Sequence, residues 1–216
     1  MAFETLAQLR ARLNTDLGVA DGATLPWGDA TVRNAAIREG FERLWPQMKR
    51  LRTESQTYVA GQQLYTLTSV IDVQLVEVKS SDGIVYKDLK NWRNWVVDDD
   101  TPVTTFRLSS GIAETGATLE FTGYAPYESD LTSDTDACDL DGRYTWIPLQ
   151  GARSYLYRRK YHEYLDYQQF ANINRENDTT PQTLFAAYQD AENRFEHAVA
   201  THAAQVSMPR RARMTK

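Results

Sequence analysis

Cys138 is the single cysteine of the chain and the first candidate for nucleophilic chemistry. A catalytic serine or cysteine needs a neighbouring base, usually on a recognisable turn, and the sequence contains no G-x-S-x-G motif. Cys138 instead lies in an acid-rich stretch, where neighbouring carboxylates would raise the pKa of the thiol and disfavour the reactive thiolate. The sequence therefore predicts no catalytic nucleophile at this position.

The three histidines, His162, His197 and His202, are the candidates for metal ligation. His162 and Glu163 begin like a zinc-protease helix, but Asp166 occupies the position where that motif has its second histidine. No third ligand is evident, so a solvated helix face is favoured. His197 and His202 are five residues apart, which puts them on different faces of a helix. We predict no metal ligand among these residues.

An acidic stretch invites comparison with calcium sites, which use oxygen ligands. It contains Asp134, Asp136, Asp139, Asp141 and Gly142. An EF-hand loop needs glycine at its sixth position and glutamate at its twelfth. Neither condition is met when the loop is started at Asp134 or at Asp136. A solvated loop is favoured, with an irregular divalent-cation site as the alternative.

Phosphate-binding motifs do not occur: the sequence has neither G-x-x-x-x-G-K-[ST] nor G-x-G-x-x-G. A basic cluster in the third helical pattern alternates with tyrosines, a combination that can bind single-stranded nucleic acid. Its members are Arg153, Arg158, Arg159 and Lys160. The net charge of −5 opposes that interpretation, because nucleic-acid binders normally present an electropositive face. Ion pairing and packing, within or between subunits, are favoured. We therefore predict a protein that is not an enzyme and has no cofactor.

The length and composition are typical of a soluble globular protein. A chain of 216 residues can bury a core without disulfides or metal ions. One cysteine cannot form an internal disulfide, so no oxidising compartment is required. Polar residues interrupt the N-terminal stretch, and no apolar run approaches the ~20 residues of a membrane span. We expect a protein made inside the cell, without a signal peptide, transit peptide or membrane segment.

Apolar periodicity divides the chain into four helices and an intervening β region. Leucines recur at helical spacing from Leu6 to Leu17, and Gly18 is suited to end this first helix. Asp29 is a candidate N-cap of the second helix, which should end at Pro46. Short strands are predicted at 53–59, 64–67, 70–78, 84–86, 103–108 and 119–124, and further helices at 148–171 and 181–206.

We therefore predict an α+β fold. Helices from both ends of the chain form a helical bundle body, because no single helix can bury its apolar stripe alone. A small antiparallel β unit is inserted between them. The predicted boundaries are 1–47 and 143–206 for the helical body, 48–142 for the β insertion with its acidic loop, and 207–216 for a basic C-terminal tail.

The third helical pattern carries tyrosines around its circumference. Tyr155, Tyr157, Tyr161 and Tyr164 do not share one face when successive residues are rotated by about 100°. A helix so aromatic is expected to contact neighbours on more than one side, and one of these would be another chain. The four tyrosines are our candidate subunit interface, with packing inside the core as the alternative.

Three segments carry a resemblance to a known family. An N-terminal helix leads to WGDATVRNAAIREGFERLWP (27–46), the β insertion opens with QTYVAGQQLYTLTSVIDVQLVEV (56–78), and IPLQGARSYLY (147–157) precedes two long helices and a basic tail. This order of elements resembles that of the head-to-tail adaptor, or connector, proteins of tailed bacteriophages, and covers nearly the whole chain. Similar layouts occur in the tubular tail proteins of short-tailed phages.

The resemblance implies a structural protein of the virion neck, made in the cytoplasm of the bacterial host. It implies a homo-oligomeric ring, typically of twelve copies, between the portal protein and a stopper or tail-completion protein. Double-stranded DNA would pass through the lumen without sequence-specific binding, and an acidic protein suits such passage because it repels the phosphate backbone. The alternatives are a tubular tail or tail-completion protein and, in another class, a nucleic-acid-binding protein.

The resemblance also suggests where the partners bind. In that family the C-terminal end commonly engages the portal, which assigns portal docking to 205–216, with the key residues Met208, Arg210, Arg211, Arg213 and Met214. A loose segment of this kind would fold against its partner on docking. The tips of the β unit are expected to contact the adjoining ring or neighbouring subunits, through Asp82, Gly83, Ser110 and Gly111.

Overall fold

The computed structural model describes residues 3–19, 27–80, 82–89, 95–98, 105–109, 116–127, 131–170 and 181–207. Within these ranges the regular structure consists of four helices and two antiparallel sheets, which confirms the predicted α+β class. The chain divides into a helical unit, Met1–Met48 with Pro126–Val206, and a β unit, Lys49–Ala125. Among the helices so described, none combines the length and apolar character that crossing a bilayer requires.

The helices are α1, Leu6–Asp16; α2, Ala30–Glu42; α3, Trp146–Phe170; and α4, Pro181–Ser207. Local signals set several of their ends. A capping box opens α1, in which the Thr5 hydroxyl accepts from the Gln8 backbone N–H and the Gln8 side chain accepts from the Thr5 N–H. The predicted N-cap Asp29 accepts a hydrogen bond from the Val32 N–H at 3.0 Å. α1 ends before Gly18, whose φ of 65° favours glycine.

Helices from both ends of the chain bury their apolar stripes in one core, as predicted. Buried members come from every helix, among them Leu9, Phe41, Leu156 and Val199. Two glycines allow α2 and α3 to cross closely. A Cβ added to Gly40 would lie 2.1 Å from the Pro148 carbonyl oxygen, and one added to Gly151 would lie 3.2 Å from the Gly40 Cα. The two helix backbones therefore touch at this crossing.

The acidic stretch of 131–142 belongs to the helical unit, whereas the sequence analysis had assigned it to the β insertion. Its backbone is hydrogen-bonded to the N-terminal segment. The Leu6 N–H donates to the Asp136 carbonyl at 2.8 Å, and the Cys138 N–H donates to the Glu4 carbonyl at 2.9 Å. These contacts join residues more than a hundred positions apart, which local periodicity does not reveal.

The strands are β1, Arg50–Thr57; β2, Leu64–Thr66; β3, Asp72–Lys79; β4, Val85–Leu89; β5, Trp95–Asp98; β6, Thr105–Leu108; and β7, Thr118–Ala125. Four form an antiparallel sheet in the order β1-β7-β3-β4, and three form a second sheet in the order β2-β6-β5. The sequence predicted each of these strands except β5. A strand of four residues that ends in an acidic residue carries too little periodicity to be recognised.

Aromatic side chains hold the two sheets of the β unit together. Phe106 of β6 lies edge-on to Phe121 of β7, with the ring centres 4.9 Å apart. The ring of Trp95 lies 4.6 Å from that of Phe106, and its indole N–H donates to the Leu89 carbonyl at 3.1 Å. All four residues are buried. The β unit thus has a hydrophobic core of its own.

The four-stranded sheet buries only one of its faces. Phe121 lies in the β core, whereas the register pairs Leu51 with Tyr124 and Leu75 with Thr122 on the other face. Leu51 and Leu75 are 46% and 38% exposed. We call this surface the outward face; its members are Leu51, Thr53, Ser55, Leu75, Glu77, Glu120, Thr122 and Tyr124.

Candidate functional site

The four candidate interface tyrosines lie along α3, and all are partly exposed. Tyr157 meets Trp27 edge-on, with the ring centres 4.9 Å apart, and Tyr161 lies 5.4 Å from Phe185 of α4. Tyr155 packs against the helical core. These tyrosines therefore have partners within the chain and also present surface to a neighbour. Their role between subunits, with that of Tyr164, stays a prediction.

Two members of the basic cluster on α3, Arg159 and Lys160, are engaged in ion pairs. The Arg159 Nε donates to Glu163 at 3.0 Å, and the Lys160 Nζ donates to the same carboxylate at 3.3 Å. Partial burial alone would raise the pKa of Glu163, but the hydrogen bonds from the two cations outweigh it and hold that pKa below its usual value. Glu163 thus reduces the positive electrostatic potential that Arg159 and Lys160 would present to a phosphate.

A cavity of about 130 Å³ adjoins this cluster, lined by Trp27, Val32, Leu156, Arg159, Lys160 and Glu163. The carboxylate and both cations are already paired there. The arrangement suits side-chain packing better than the binding of an anionic ligand, in agreement with the interpretation favoured from the sequence.

The histidines do not gather into a metal centre. His162 is exposed, and its ring lies 5.7 Å from that of Tyr161. The ring centre of His202 lies 5.7 Å from that of Tyr144 and 5.8 Å from that of Trp146. In the described part of the chain no group of three or more His, Cys, Asp or Glu side chains could hold a metal ion.

The carboxylates of the acidic stretch serve as hydrogen-bond acceptors within the helical unit. Asp134 accepts from both terminal nitrogens of Arg10, at 2.6 and 2.9 Å, which lowers the pKa of that carboxyl. Asp136 accepts from the backbone N–H groups of Ser133 and Thr132 at 2.7 and 2.8 Å, which lowers its pKa as well. These carboxylates are held by structural contacts, while residues 132–135 and 137 are exposed to solvent, as expected for the solvated loop that the sequence favoured.

Cys138 is 1% exposed. Burial raises the pKa of its thiol, and the charge of Glu4 adds to the effect. The sequence predicted the direction of this shift, but it named the neighbouring carboxylates as the cause, and burial is the larger one. The thiol donates to the Leu140 carbonyl at 3.6 Å, and a thiol so buried cannot act as a nucleophile toward an external substrate.

The predicted contact sites are described only in part. Asp82 and Gly83 form an exposed turn before β4, with a φ of 77° at the glycine. Ser110 and Gly111 lie outside the described residues. The portal-docking residues also lie outside them, namely Met208, Arg210, Arg211, Arg213 and Met214. The contact roles of both segments stay predictions.

Exposed apolar side chains are concentrated in the β unit, a feature that the sequence analysis missed. Of the ten large apolar side chains identified as exposed among the described residues, eight belong to this unit: Leu51, Val59, Leu64, Ile71, Leu75, Ile84, Val85 and Val96. Leu51 and Leu75 share the outward face of the sheet. The alternation of side chains along β1 and β3 was the available signal for two distinct faces, but it does not indicate which face is covered by the core.

Comparisons with known proteins give little further information. No family model matches the chain, and no curated protein matches it. Among solved structures, the chain is similar to a chain of the neck of an empty GTA particle, computed with C6 symmetry. The identity is 12%, the match covers 88% of this chain and 92% of that one, and the TM-score is 0.35. A TM-score this low establishes no shared fold.

Proposed function

We propose that this protein is a structural subunit of the neck of a tailed-phage virion, an adaptor that forms a ring beneath the portal and joins capsid to tail. The sequence resemblance supplies this class. The observation that carries the proposal is the exposed apolar surface of the β unit, eight large side chains in one inserted unit. Large exposed apolar side chains concentrated in one unit are candidates for contact with other proteins.

The polar residues support a role in contact better than one in chemistry. The acidic residues Asp134 and Asp136, the basic residues Arg159 and Lys160, and Cys138 were among the candidates for chemistry. Each of these side chains is engaged in a hydrogen bond or ion pair within its own unit. The side chains that remain available for contact with another protein are the half-buried aromatic rings on α3 and the apolar side chains on the outward face.

A ring requires two different surfaces on each subunit, because its contacts are head-to-tail. The tyrosines of α3 and the exposed apolar residues of the β unit would supply two such surfaces. In this proposal Tyr155, Tyr157, Tyr161 and Tyr164 contact a neighbouring subunit, and the tip at Asp82 and Gly83 contacts the next ring. The net charge of −5 suits a lumen through which DNA passes without being held.

The mass of the protein in solution, with and without portal rings of the same phage, tests the proposal. Multi-angle light scattering should detect portal complexes that carry a full ring of the 216-residue chain. Portal rings that gain no mass would contradict the adaptor role, and a complex with tail-tube or stopper components alone would favour the tail-protein alternative. Salt-sensitive binding to duplex DNA in the absence of portal would favour the nucleic-acid-binding alternative.

The C-terminal tail is the proposed portal-docking segment. Deletion of 207–216 should abolish co-sedimentation with portal rings and leave the thermal unfolding of the subunit unchanged. Substituting Arg210, Arg211 and Arg213 by glutamine removes charge only, and substituting Met208 and Met214 by serine removes apolar contacts only, so the pair of variants identifies the dominant interaction. Undiminished binding by the deleted protein would contradict this docking role.

A further inference from the structure

A groove of about 280 Å³ lies between the first turns of α3 and the C-terminal half of α4. Its polar and aromatic lining consists of Trp146, Gln150, Arg194, His197, Thr201 and His202. Ala198, which is buried, forms part of its floor. Neither the proposed function nor the predicted contact sites use this groove.

The lining has one cation, Arg194, and several hydrogen-bond donors, and among the described residues that line it there is no carboxylate. Arg194 pairs with Asp190 at 3.0 Å, but both side chains are more than half exposed, so this pair is easily exchanged for another. Arg153, which does not line the groove itself, donates to Gln150 at 3.4 Å, and among the described residues its buried Nε has no hydrogen-bond partner. The groove is therefore suited to a negatively charged segment.

One wall of the groove is aromatic. Trp146 meets His202 edge-on, with the ring centres 5.8 Å apart, and is partly exposed. A wall of this kind favours an apolar side chain close to the acidic group. The complementary ligand is an acidic peptide segment with an apolar residue beside it.

We propose that the groove binds the acidic segment 98–100 of a second copy of the chain. Asp98, Asp99 and Asp100 form the only run of three consecutive acidic residues in the sequence. They begin at the last residue of β5, an edge strand of the three-stranded sheet. Val96 of the same strand is 38% exposed and supplies the neighbouring apolar side chain.

This contact rests on the proposed function and deepens it. It joins the helical unit of one copy to the β unit of the next, so the two surfaces in contact are different. Contacts between different surfaces repeat around a ring until it closes, whereas contacts between identical surfaces stop at a dimer. The groove and the acidic segment thus form one complete head-to-tail contact.

A labelled peptide of residues 95–102 tests the recognition directly. Its affinity for the full-length protein, followed by fluorescence anisotropy, should exceed by about tenfold that of a peptide with asparagine at the three aspartate positions. The double substitution R194A/H197A should lower the affinity by a similar factor. R158A, which removes an exposed arginine of α3 outside the groove, is the matched control and should leave the affinity unchanged.

Three results would overturn the proposal. Equal affinity for the two peptides would mean that the carboxylates are not recognised. At a protein concentration where light scattering shows the wild type to be monomeric, tighter peptide binding by the full-length variant D98N/D99N/D100N than by the wild type would mean that the segment occupies the groove of its own chain. Displacement of the peptide by a low concentration of duplex DNA would identify the groove as a site for the phosphate backbone.

Portal binding separates this proposal from the adaptor role. If the peptide does not bind and the wild-type protein still adds a full ring to the portal, the groove assignment is wrong and the adaptor role is supported. If the contact is correct, R194A/H197A and D98N/D99N/D100N each add less mass to the portal than the wild type. If the peptide binds but portal rings gain no mass from any variant, the adaptor role falls.

Discussion

Arg43 of α2 and Glu192 of α4 form an ion pair that connects helices from the two ends of the chain. The Ser154 hydroxyl of α3 donates to the other oxygen of the Glu192 carboxylate. The Arg43 guanidinium also lies 4.5 Å from the centre of the Phe195 ring. With side chains only 27% and 22% exposed, this pair is screened less than a surface pair. One carboxylate thus joins three helices.

Removal of that carboxylate should destabilise the helical unit. We expect Glu192→Ala to lower the free energy of unfolding by about 2 kcal/mol, because Arg43 and Ser154 both lose their acceptor. Urea denaturation followed by far-UV circular dichroism measures the change. Asp190→Ala, which removes the exposed carboxylate that pairs with Arg194 on the same helix, is the control and should cost less than about 0.5 kcal/mol. Equal losses in the two variants would contradict the structural role of Glu192.

Arg33 presents the opposite case, a buried guanidinium of which two nitrogens lack a hydrogen-bond partner among the described residues. Arg33 is 3% exposed, and the two nitrogens are Nε and Nη1. Burial of an unpaired charge is unfavourable, and an apolar side chain of similar volume often stabilises the fold. Arg33→Met should therefore raise the free energy of unfolding by about 1 kcal/mol. Arg38→Met, on the same helix and partly exposed, should change it by less than about 0.5 kcal/mol. A marked loss of stability in Arg33→Met would mean that the guanidinium is compensated.

Local signals in the sequence predicted the helices well. Asp29 was identified as an N-cap because an aspartate side chain can accept from the free N–H groups of a first helical turn, and it does so. The leucines of α1 and the long stripe of α4 required a shared core, and Leu9 and Val199 lie in it. These predictions depend on residues that are close in sequence, which is why the pattern alone contains them.

Long-range contacts could not be predicted in this way. Arg43 and Glu192 are 149 positions apart in the sequence. Taken alone, the sequence around each of them predicts an ordinary charged residue on a helix surface. Nothing local in the acidic stretch indicates that Arg10 binds Asp134. The close approach of Gly40 to α3 also depends on tertiary packing. The groove beside Trp146 was missed for the same reason, since its two walls come from different helices.

Glu54 of β1 should make the β unit sensitive to acid. Partial burial would raise the pKa of its carboxyl, but hydrogen bonds from the Ser69 N–H and hydroxyl, the Gln56 side chain and the Thr68 N–H outweigh this and hold the pKa below the ordinary 4.5. A lowered folded-state pKa stabilises the fold above the unfolded-state value, and this stabilisation is lost as the pH falls through the folded-state value.

Glu54→Gln tests this assignment. The variant should be less stable than the wild type at neutral pH, and the difference between their urea midpoints should shrink from about pH 6 to about pH 3. Glu77→Gln, in the neighbouring strand β3 of the same sheet, is the control. A midpoint difference that does not change with pH would show that the carboxylate charge of Glu54 contributes nothing.

Substitutions on the outward face can distinguish an effect on the stability of the subunit from an effect on its assembly with the portal. Leu51 and Leu75 lie on the face of the sheet that does not contribute to the β core, so Leu51→Ser with Leu75→Ser should change the free energy of unfolding by less than about 1 kcal/mol. If a neighbouring protein covers this face, loss of two buried leucines should weaken assembly on the portal at least about tenfold. Light scattering of portal complexes measures the second effect, and urea denaturation the first. Phe3→Ser removes a comparably exposed apolar side chain, 51% exposed and in the helical unit, and should leave both unchanged. A double variant that still adds a full ring to the portal would mean that the apolar surface of this sheet has no part in assembly.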